Sequence, residues 1–486
     1  PYLPLISLPL SFRQCPLTKF SQWAMIKIMD PRFLPHNTHL ESPAKFSERD
    51  PQLRLLQQQP HCHTPPLLNE LPNTAGVYTI GGGRQVGKTT LLKQWMAKLL
   101  AEKQPANSIA FFSGELIDDH HALLHLLQTQ LLEMPSKGMR YLLIDEVSYI
   151  HDWDKAVKYA ADAGMLEQVV LMLTGSDLIL TEEARARFPG RRGRASKVDF
   201  HLHPLSFREV VKLKQGESFV SDLTAQLTQS APDPAPEQVA QLFDIFNHYL
   251  IHGGYLTAIN DLAQNGRISE ATLMTYSDWI RGDMVKRGKQ EHYLREVLSS
   301  IIKRYGSQLS WNAIARDLSI DHPKTVADYA LLLSSLDALY IQPALLEDKL
   351  TAAPKKARKL MFNDPFIFHS LRSWLNPVKN SFEEQIIPTV ENPAWAGKLA
   401  EAVVTTHYQR HYPTYYIKGV NEIDVAYVEQ KRFWPIEVKW TTQLRAHELK
   451  QIRKYPNGRI FSQAKKRGEI LGIETIPLPL GLLELP

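Results

Sequence analysis

A short glycine-rich segment carries the residues of this sequence that are best suited to chemistry. Its letters, G-G-R-Q-V-G-K-T, satisfy the spacing G-x-x-x-x-G-K-[ST] of a phosphate-binding loop. Glycines without a Cβ let the backbone curl around phosphate oxygens, so that N–H groups and the positive end of the following helix point at the anion. The segment predicts a nucleoside triphosphate site formed by Gly82, Gly83, Arg84, Gln85, Val86, Gly87, Lys88, Thr89 and Thr90.

Two residues of this segment add specific chemistry. Lys88 supplies a mobile cation for the β and γ phosphates, and we interpret it as catalytic as well as binding. Thr89 places a hydroxyl where a Mg²⁺ ion bridging those phosphates can take it as a ligand. The apolar run 76–80 before the segment and the helix-prone run 90–100 after it predict the order of strand, loop and helix that the site needs.

A second apolar run, 141–144, ends in the acid pair Asp145 and Glu146. We interpret it as a buried strand whose Asp145 holds Mg²⁺ through the water shell of the ion, while Glu146 orients and deprotonates the attacking water. Strands often end in solvated acids, so the run alone is a weak signal. Its position downstream of a phosphate-binding loop makes it a strong one.

A third apolar run ends in Thr174, Gly175 and Ser176, small residues suited to sensing a γ-phosphate. Ser176 is the candidate sensor, with Thr174 behind it. The arginine-rich stretch 185–194 follows, and Arg191 is the candidate for stabilising transition-state charge in its own subunit or a neighbour's. A solvated loop or an anion-binding surface is the more common role for such a cluster.

Together with the turn Pro189-Gly190-Arg191 and the segment 204–209, these motifs resemble those of a prokaryotic AAA-type P-loop ATPase. The subgroup that the chain resembles carries a winged helix and a restriction-endonuclease-like, PD-(D/E)xK domain behind the ATPase. The resemblance covers residues of about 50 to 470 and implies ATP and Mg²⁺ as cofactors. It implies an α/β fold: a parallel P-loop NTPase sheet with a helical lid, a winged helix and a C-terminal α/β nuclease-like domain.

Length and composition agree with several domains, because 486 residues with 44% hydrophobic side chains can fill more than one core. For the winged helix, contact with DNA and plain packing against protein are both open. The predicted divisions are an irregular N-terminal extension at 1–50, the ATPase core at 51–205, the lid at 206–290, the winged helix at 291–345, a linker at 346–390 and the nuclease-like domain at 391–486.

The last hundred residues hold a second set of chemical side chains. Glu401 lies in a helical run, Asp424 in a strand-like run, and Glu437 and Lys439 on the next one. Alternate positions on a strand share one face, so Glu437 and Lys439 would meet Asp424 across a hairpin. This layout resembles that of restriction-endonuclease-like nucleases, in which carboxylates bind Mg²⁺ and the lysine holds or deprotonates a water that attacks a phosphodiester. The alternative is an inactive scaffold domain.

Charge and cysteine usage bear on partners. Between Lys431 and Arg467 eleven Lys or Arg residues face two Glu residues, while the whole chain carries a net charge of +5. This local excess favours contact with DNA, although such runs are often solvated faces. The two cysteines and the lack of a long apolar stretch predict a cytoplasmic protein without a membrane span. An arginine acting across a subunit boundary would require a homo-oligomer.

Two hypotheses for the function remain open at this point. One is an ATP-regulated, metal-dependent nuclease that acts on DNA. The other is a switch or scaffold ATPase whose C-terminal domain only binds a protein partner.

Overall fold

A five-stranded parallel sheet forms the centre of the N-terminal half of the protein, in the order β2-β3-β4-β1-β5. The structure is a computed structural model that describes residues 29–175, 188, 190–193, 195–227, 234–320, 322–419 and 421–486. The strands are β1 (Gly76–Gly81), β2 (Ile109–Ser113), β3 (Arg140–Asp145), β4 (Val169–Thr174) and β5 (Asp199–His201).

Continuous apolar runs form these strands because both faces of the sheet are covered, as is typical of parallel sheets. Alternate residues point to opposite faces, so Leu142 and Leu143 belong to different hydrophobic clusters. The helices of this half are α1 (Phe46–Arg49), α2 (Pro51–Gln57), α3 (Lys88–Ala101), α4 (His120–Glu133) and α5 (Trp153–Asp162). Helix α3 packs on one face, and α4 and α5 pack on the other.

The described end of the N-terminal extension is more regular than predicted. Short 3-10 helices at Pro31–His36, Thr38–Leu40 and Pro43–Lys45 precede α1. Phe33 and Phe46 are buried against opposite faces of the sheet, which fixes this segment. Residues 31–49 of the predicted extension thus form short helices where the segment contacts the core.

The chain then forms a helical region. Its helices pack around Phe246 and Tyr249, which are fully buried. They are α6 (Phe207–Gln215), α7 (Glu217–Gln226), α8 (Pro236–His252), α9 (Leu256–Asn265) and α10 (Glu270–Lys286).

A small antiparallel sheet, in the order β6-β10-β7, lies in the region 291–362, which we call the three-strand module. The predicted linker at 346–390 is wrong, because its residues 358–362 form the central strand of this sheet and the next helix is buried. The elements of the module are α11 (Glu291–Lys303), β6 (Gln308–Leu309), α12 (Trp311–Ala315), α13 (Pro323–Ser335), β7 (Leu339–Pro343), β8 (Leu345–Leu346), β9 (Thr351–Ala352) and β10 (Arg358–Phe362). After the module come α14 (Pro365–Leu375), a π-helical turn (Phe382–Ile386) and α15 (Ile387–Glu391).

A mixed six-stranded sheet, in the order β11-β12-β13-β14-β16-β15, forms the C-terminal domain. Strands β12 and β13 are antiparallel, and β14 joins β13 in parallel. The elements are α16 (Pro393–Gln409), β11 (Thr414–Lys418), β12 (Glu422–Glu429), β13 (Arg432–Lys439), β14 (Arg459–Ser462), β15 (Gly468–Ile470), β16 (Ile473–Pro477) and α17 (Leu478–Leu482).

One hydrophobic cluster joins the helical region, the three-strand module and helices α16 and α17. The predicted α/β class, a parallel-sheet core with helices and a further C-terminal sheet domain, is confirmed. Among the described helices, none combines the length and the apolar composition needed to span a lipid bilayer.

Replacing Gly253 with alanine is expected to destabilise the helical region by about 2 to 6 kcal/mol, from backbone strain and overpacking together. Gly253 ends α8 with φ 58° and ψ −150°, a conformation that side chains with a Cβ rarely adopt. A Cβ there would also overlap the carboxylate of Asp364, which accepts from Gly254 N at 2.8 Å and from Phe366 N at 2.8 Å. Thermal unfolding followed by circular dichroism measures the effect.

The control is Gly282→Ala in the exposed middle of α10, where a Cβ meets no neighbouring atom. That change should be neutral or stabilising by up to about 1 kcal/mol, because alanine favours helix. Equal transition temperatures for the two variants would contradict the constraint assigned to Gly253.

Candidate functional site

The phosphate-binding segment lies between β1 and α3, as its spacing predicts. Gly87 is the residue before α3 and has φ 104°, in the range that favours glycine. Lys88 is the first residue of α3, and its Nζ donates to Gly82 O at 3.0 Å and to Gly83 O at 2.9 Å. The loop therefore holds the ammonium group over its own backbone.

The side chain of Lys88 is only 4% exposed, and Glu146 Oε1 lies 3.7 Å from its Nζ. Burial lowers the pKa of Lys88, while the charges of Glu146 and Asp145 raise it. The ammonium is thus held in a partly dehydrated site beside two carboxylates. With a metal ion offsetting the carboxylates, this ammonium and the N–H groups of the loop would attract a phosphate.

Thr89, in the first turn of α3, meets Asp145 and Thr174 at the edge of the sheet where β3 and β4 end. Thr89 Oγ1 donates to Asp145 Oδ2 at 2.6 Å, and Thr174 Oγ1 donates to Asp145 Oδ1 at 2.5 Å. They come together because β1, β3 and β4 are parallel neighbours whose carboxyl ends share this edge. Hydroxyl and carboxylate oxygens are the ligands that Mg²⁺ prefers, so Thr89 and Asp145 fit that ion.

Glu146 follows β3 with φ 52° and ψ 50°, which is uncommon for a residue other than glycine. Its backbone N–H donates to Thr174 Oγ1 at 2.9 Å. Thr174 is fully buried and therefore fixes both acids at once, Asp145 through a side chain and Glu146 through the backbone. The sequence predicted that Thr174 lies behind the candidate sensor Ser176. It did not predict that Thr174 bridges the two acids, because this contact depends on the pairing of β3 with β4.

A cleft of about 700 Å³ opens at this edge of the sheet. One wall is formed by Asp145 and Glu146, and another by Thr257 and Asn260 of α9. The segment before β1 forms a third wall, where Asn260 Oδ1 accepts from His61 N at 2.9 Å. Seven of the nine predicted binding residues line the cleft: Arg84, Gln85, Val86, Gly87, Lys88, Thr89 and Thr90. Gly82 and Gly83 are not among the lining residues, and their carbonyl groups accept from Lys88.

Two contacts to the loop come from distant parts of the chain. Arg84 pairs with Asp283 of α10 at 2.9 Å and donates to Tyr149 Oη at 2.9 Å. Gly83 N donates to Asp337 Oδ2 at 3.4 Å, and Asp337 also contacts His201 Nε2 at 3.0 Å. No local pattern marks Asp283 or Asp337, because each meets the loop only through tertiary packing.

The predicted γ-phosphate sensor is Ser176, and the predicted residue for stabilising transition-state charge is Arg191. Ser176 lies outside the described residues. Arg191 Nε donates to Asp162 Oδ1 of α5 at 2.5 Å, so its guanidinium pairs within its own domain. Its neighbour Arg192 is buried and pairs with Asp199 at 2.5 Å. The catalytic role of Arg191 stays a prediction.

The C-terminal domain brings its predicted residues together on β12, β13 and α16. Asp424 Oδ2 accepts from Val438 N at 2.9 Å, and Lys439 Nζ contacts Glu437 Oε1 at 2.5 Å. The ligand oxygens of three acids lie within 4.8 Å of one another, and we call these acids the acidic cluster: Glu401, Glu422 and Asp424. Glu422 was not predicted, although it lies two residues from Asp424 on the same strand face.

Burial raises the pKa of Glu401 and that of Glu437. The charge of Lys359 opposes the shift at Glu401, while the charge of Asp424 adds to the shift at Glu437. Glu437 Oε2 is buried and has no hydrogen-bond partner among the residues that the structure describes. Such a set of crowded oxygens is typical of sites that hold a cation.

The basic segment of the C-terminal domain is divided between paired and exposed charges. Arg459 binds Glu474 and Glu484, and Arg467 donates to Gln226 O. The aromatic residues of the segment serve packing: Phe461 is buried, and Trp440 contacts Phe246. The exposed basic residues are Lys431, Arg432, Arg445, Lys450, Arg453, Lys454, Lys465 and Lys466.

Comparison with family models places an AAA domain at residues 74–211. Residues 243–377 match a second model, described as a domain of unknown function. The first match covers the parallel sheet, the phosphate-binding loop and the acids of β3. The chain therefore contains an AAA-type P-loop ATPase domain.

Two curated relatives are similar over part of their length. An uncharacterized protein of Haemophilus influenzae is 28% identical over 287 residues, which are 56% of this chain and 64% of that protein. An uncharacterized protein of Methanocaldococcus jannaschii is 25% identical over 293 residues, which are 60% of this chain and 56% of that protein. The chain thus spans less than two thirds of either relative.

Solved structures with detectable similarity include the Walker-type ATPase PABY2304 of Pyrococcus abyssi, with 14% identity and a TM-score of 0.39. The similarity covers 68% of this chain and 95% of that one. The Aeropyrum pernix ORC1 protein in complex with DNA has 14% identity and a TM-score of 0.29, over 76% of this chain and 97% of that one. Both scores are too low to bear on function.

Proposed function

We propose that this protein binds ATP with Mg²⁺ and hydrolyses it. The observation that carries the proposal is the chain of hydrogen bonds from Thr89 through Asp145 to Thr174 and Glu146, at the mouth of a cleft lined by the phosphate-binding loop. These hydrogen bonds, together with the Lys88 ammonium group 3.7 Å from Glu146, support a site for a nucleoside triphosphate and its metal ion.

Each residue has a distinct part in the proposed reaction. Lys88 attracts the β and γ phosphates, and the backbone of the loop orients them. Glu146 holds the attacking water and accepts its proton. Thr89 and Asp145 would hold Mg²⁺, which when bound neutralises charge that develops on the phosphates. Thr174 is a positioning residue, since it acts only through the two acids.

The test is release of inorganic phosphate from ATP by the purified protein. Release should depend on Mg²⁺ and stop when EDTA removes the metal. Phosphate release that is unaffected by EDTA, or none at any Mg²⁺ concentration, would contradict the proposal.

We propose that residues 206–290 act as the lid of this site and that the three-strand module is a winged helix extending to 362. Two contacts support a coupling of the lid and the module to the phosphate-binding loop. Asp283 on the lid pairs with Arg84, and Asp337 of the module accepts from Gly83 N. Changes in the loop on nucleotide binding would then act on both elements. A homo-oligomer follows only if Arg191 acts across a subunit boundary.

A second proposed activity is metal-dependent cleavage of DNA by the C-terminal domain. It is supported by Asp424, which accepts from the backbone next to Glu437 at 2.9 Å, by the contact of Lys439 with Glu437, and by the exposed basic residues of the same domain. The acids would hold Mg²⁺, and Lys439 would hold or deprotonate the water. If the centre is inactive, the basic surface would instead serve to bind a protein partner.

Replacing Lys439 with alanine is expected to abolish Mn²⁺- or Mg²⁺-dependent cleavage of plasmid DNA. The loss should be about 10²-fold or more, because a positioned proton-transfer group typically contributes that much. The readout is conversion of supercoiled plasmid on a gel. Lys379→Ala, an exposed lysine outside the basic segment, is the control and should cleave like the wild type. Absence of cleavage by the wild type under all metal conditions would favour the binding role.

A further inference from the structure

A lysine from outside the C-terminal domain is buried in the acidic cluster. Lys359 lies on β10, and its side chain is 1% exposed. Its Nζ contacts Glu401 Oε1, Glu422 Oε1 at 2.5 Å and Asp424 Oδ1 at 3.9 Å. The ammonium group therefore occupies the place where the three carboxylates converge.

Charge balance explains why a cation is required there. Four acids, Glu401, Glu422, Asp424 and Glu437, face two lysines, Lys359 and Lys439. Withdrawal of Lys359 would leave the four acids with Lys439 as their one cationic partner in this group, which is unfavourable for carboxylates that are largely buried. A divalent cation prefers the same carboxylate oxygens and would replace the lost charge. The lysine and a metal ion therefore compete for one position.

Lys359 is fixed by the whole three-strand module. On β10 it pairs with Gln308 of β6 and Gln342 of β7. Gln308 Nε2 donates to Glu422 Oε2, and Gln342 Nε2 donates to Asp424 O at 2.8 Å. All three strands thus contact the acidic cluster or its strand, and Lys359 is held there as part of that sheet.

Further contacts hold the module in place. Tyr340 Oη donates to Thr414 O at 2.6 Å, and Ala344 forms a backbone bridge with Tyr416 of β11. At its other end the module contacts the phosphate-binding loop through Asp337. One packed unit therefore connects the nucleotide site with the C-terminal acids.

We propose that Lys359 is an internal cation that excludes divalent metal from the acidic cluster while the three-strand module is docked. The inference rests on the second proposed activity, because it concerns the metal site of that centre. Glu422 is then a further metal ligand of that centre, and Lys359 is its regulatory contact. Divalent metal must compete with this ammonium group while the module is docked, and it binds more readily when the module moves away from β12.

The test measures Mn²⁺ binding to the full chain without nucleotide, by titration calorimetry and by electron paramagnetic resonance. Lys359→Met keeps the length of the side chain and removes its charge. It should bind Mn²⁺ at least about tenfold more tightly than the wild type, because the competing ammonium is gone. Adding Asp424→Asn to this variant should abolish the gain. Lys359→Arg keeps the cation and should bind like the wild type.

The outcomes separate the inference from the activity on which it rests. If the wild type shows Asp424-dependent binding as tight as that of Lys359→Met, the lysine excludes nothing and the inference fails, while the metal centre stands. If every protein lacks Asp424-dependent binding, the metal centre and the inference fail together. Circular dichroism checks folding, and Lys359→Gln replaces the methionine variant if that one does not fold.

Discussion

Replacing Glu146 with glutamine is expected to lower kcat for ATP hydrolysis by about 10²- to 10⁴-fold, the usual contribution of a general base. Glutamine has the same shape but cannot accept a proton from the attacking water. The hydrogen bond from the backbone N–H of residue 146 to Thr174 does not involve the side chain and should persist. Phosphate release under saturating ATP and Mg²⁺ gives the measurement.

Nucleotide binding should survive this change. The groups proposed to hold the phosphates and the metal, Lys88, Thr89 and Asp145, are unaltered. Loss of the Glu146 charge, 3.7 Å from Lys88 Nζ, removes an attraction to the lysine and also a repulsion to the phosphates, so the Kd for ATP should change by less than about tenfold. Trapping of bound, unhydrolysed ATP is the diagnostic result.

Glu167→Gln is the matched control, since the same substitution falls on an exposed residue before β4, at the opposite edge of the sheet. Its kcat should equal that of the wild type. A Glu146→Gln variant that hydrolyses ATP normally would remove Glu146 from the mechanism and leave the base unassigned.

Replacing Lys88 with alanine is expected to raise the Kd for ATP by at least about 100-fold. Hydrogen bonds to charged groups contribute about 1.5 to 3 kcal/mol each, and the proposed role of the ammonium is to bind two phosphates. The loss of ATP affinity should be larger than for an exposed lysine, because Lys88 is buried beside the phosphate-binding loop. Titration with a fluorescent ATP analogue measures the affinity.

Lys98→Ala provides the comparison on the same helix. Lys98 donates to Asn69 Oδ1 at 3.0 Å, away from the loop, and its loss should leave ATP affinity unchanged. Thermal unfolding of both variants shows whether the fold is intact. Equal affinities of folded Lys88→Ala and wild type would refute the role of this lysine.

The C-terminal half shows how far side-chain spacing reaches. Asp424, Glu437 and Lys439 come from one β-hairpin, so the alternation of strand residues was sufficient to predict their common face. Lys359 could not be predicted, because its partners lie on other elements and are 42 or more residues away. The predicted linker at 346–390 failed for the same reason. Its short strands have weak local patterns and are stabilised by the sheet that they join.

The sequence by itself determined the phosphate-binding loop, the acids of β3 and the parallel-sheet class. These features depend on contiguous residues: glycine at a position with positive φ, a helix that starts at Lys88, and apolar runs long enough for buried strands. Their physics is local, so their spacing is visible in the chain.

Tertiary structure alone decided which distant residues complete the two sites. Thr174 fixes Asp145 and Glu146, Asp337 meets the loop 254 residues away, and Lys359 offsets part of the charge of the acidic cluster. Such contacts arise where the surfaces of separate elements pack together. Ion pairs and hydrogen bonds of this kind depend on that packing and leave no periodic pattern in the sequence.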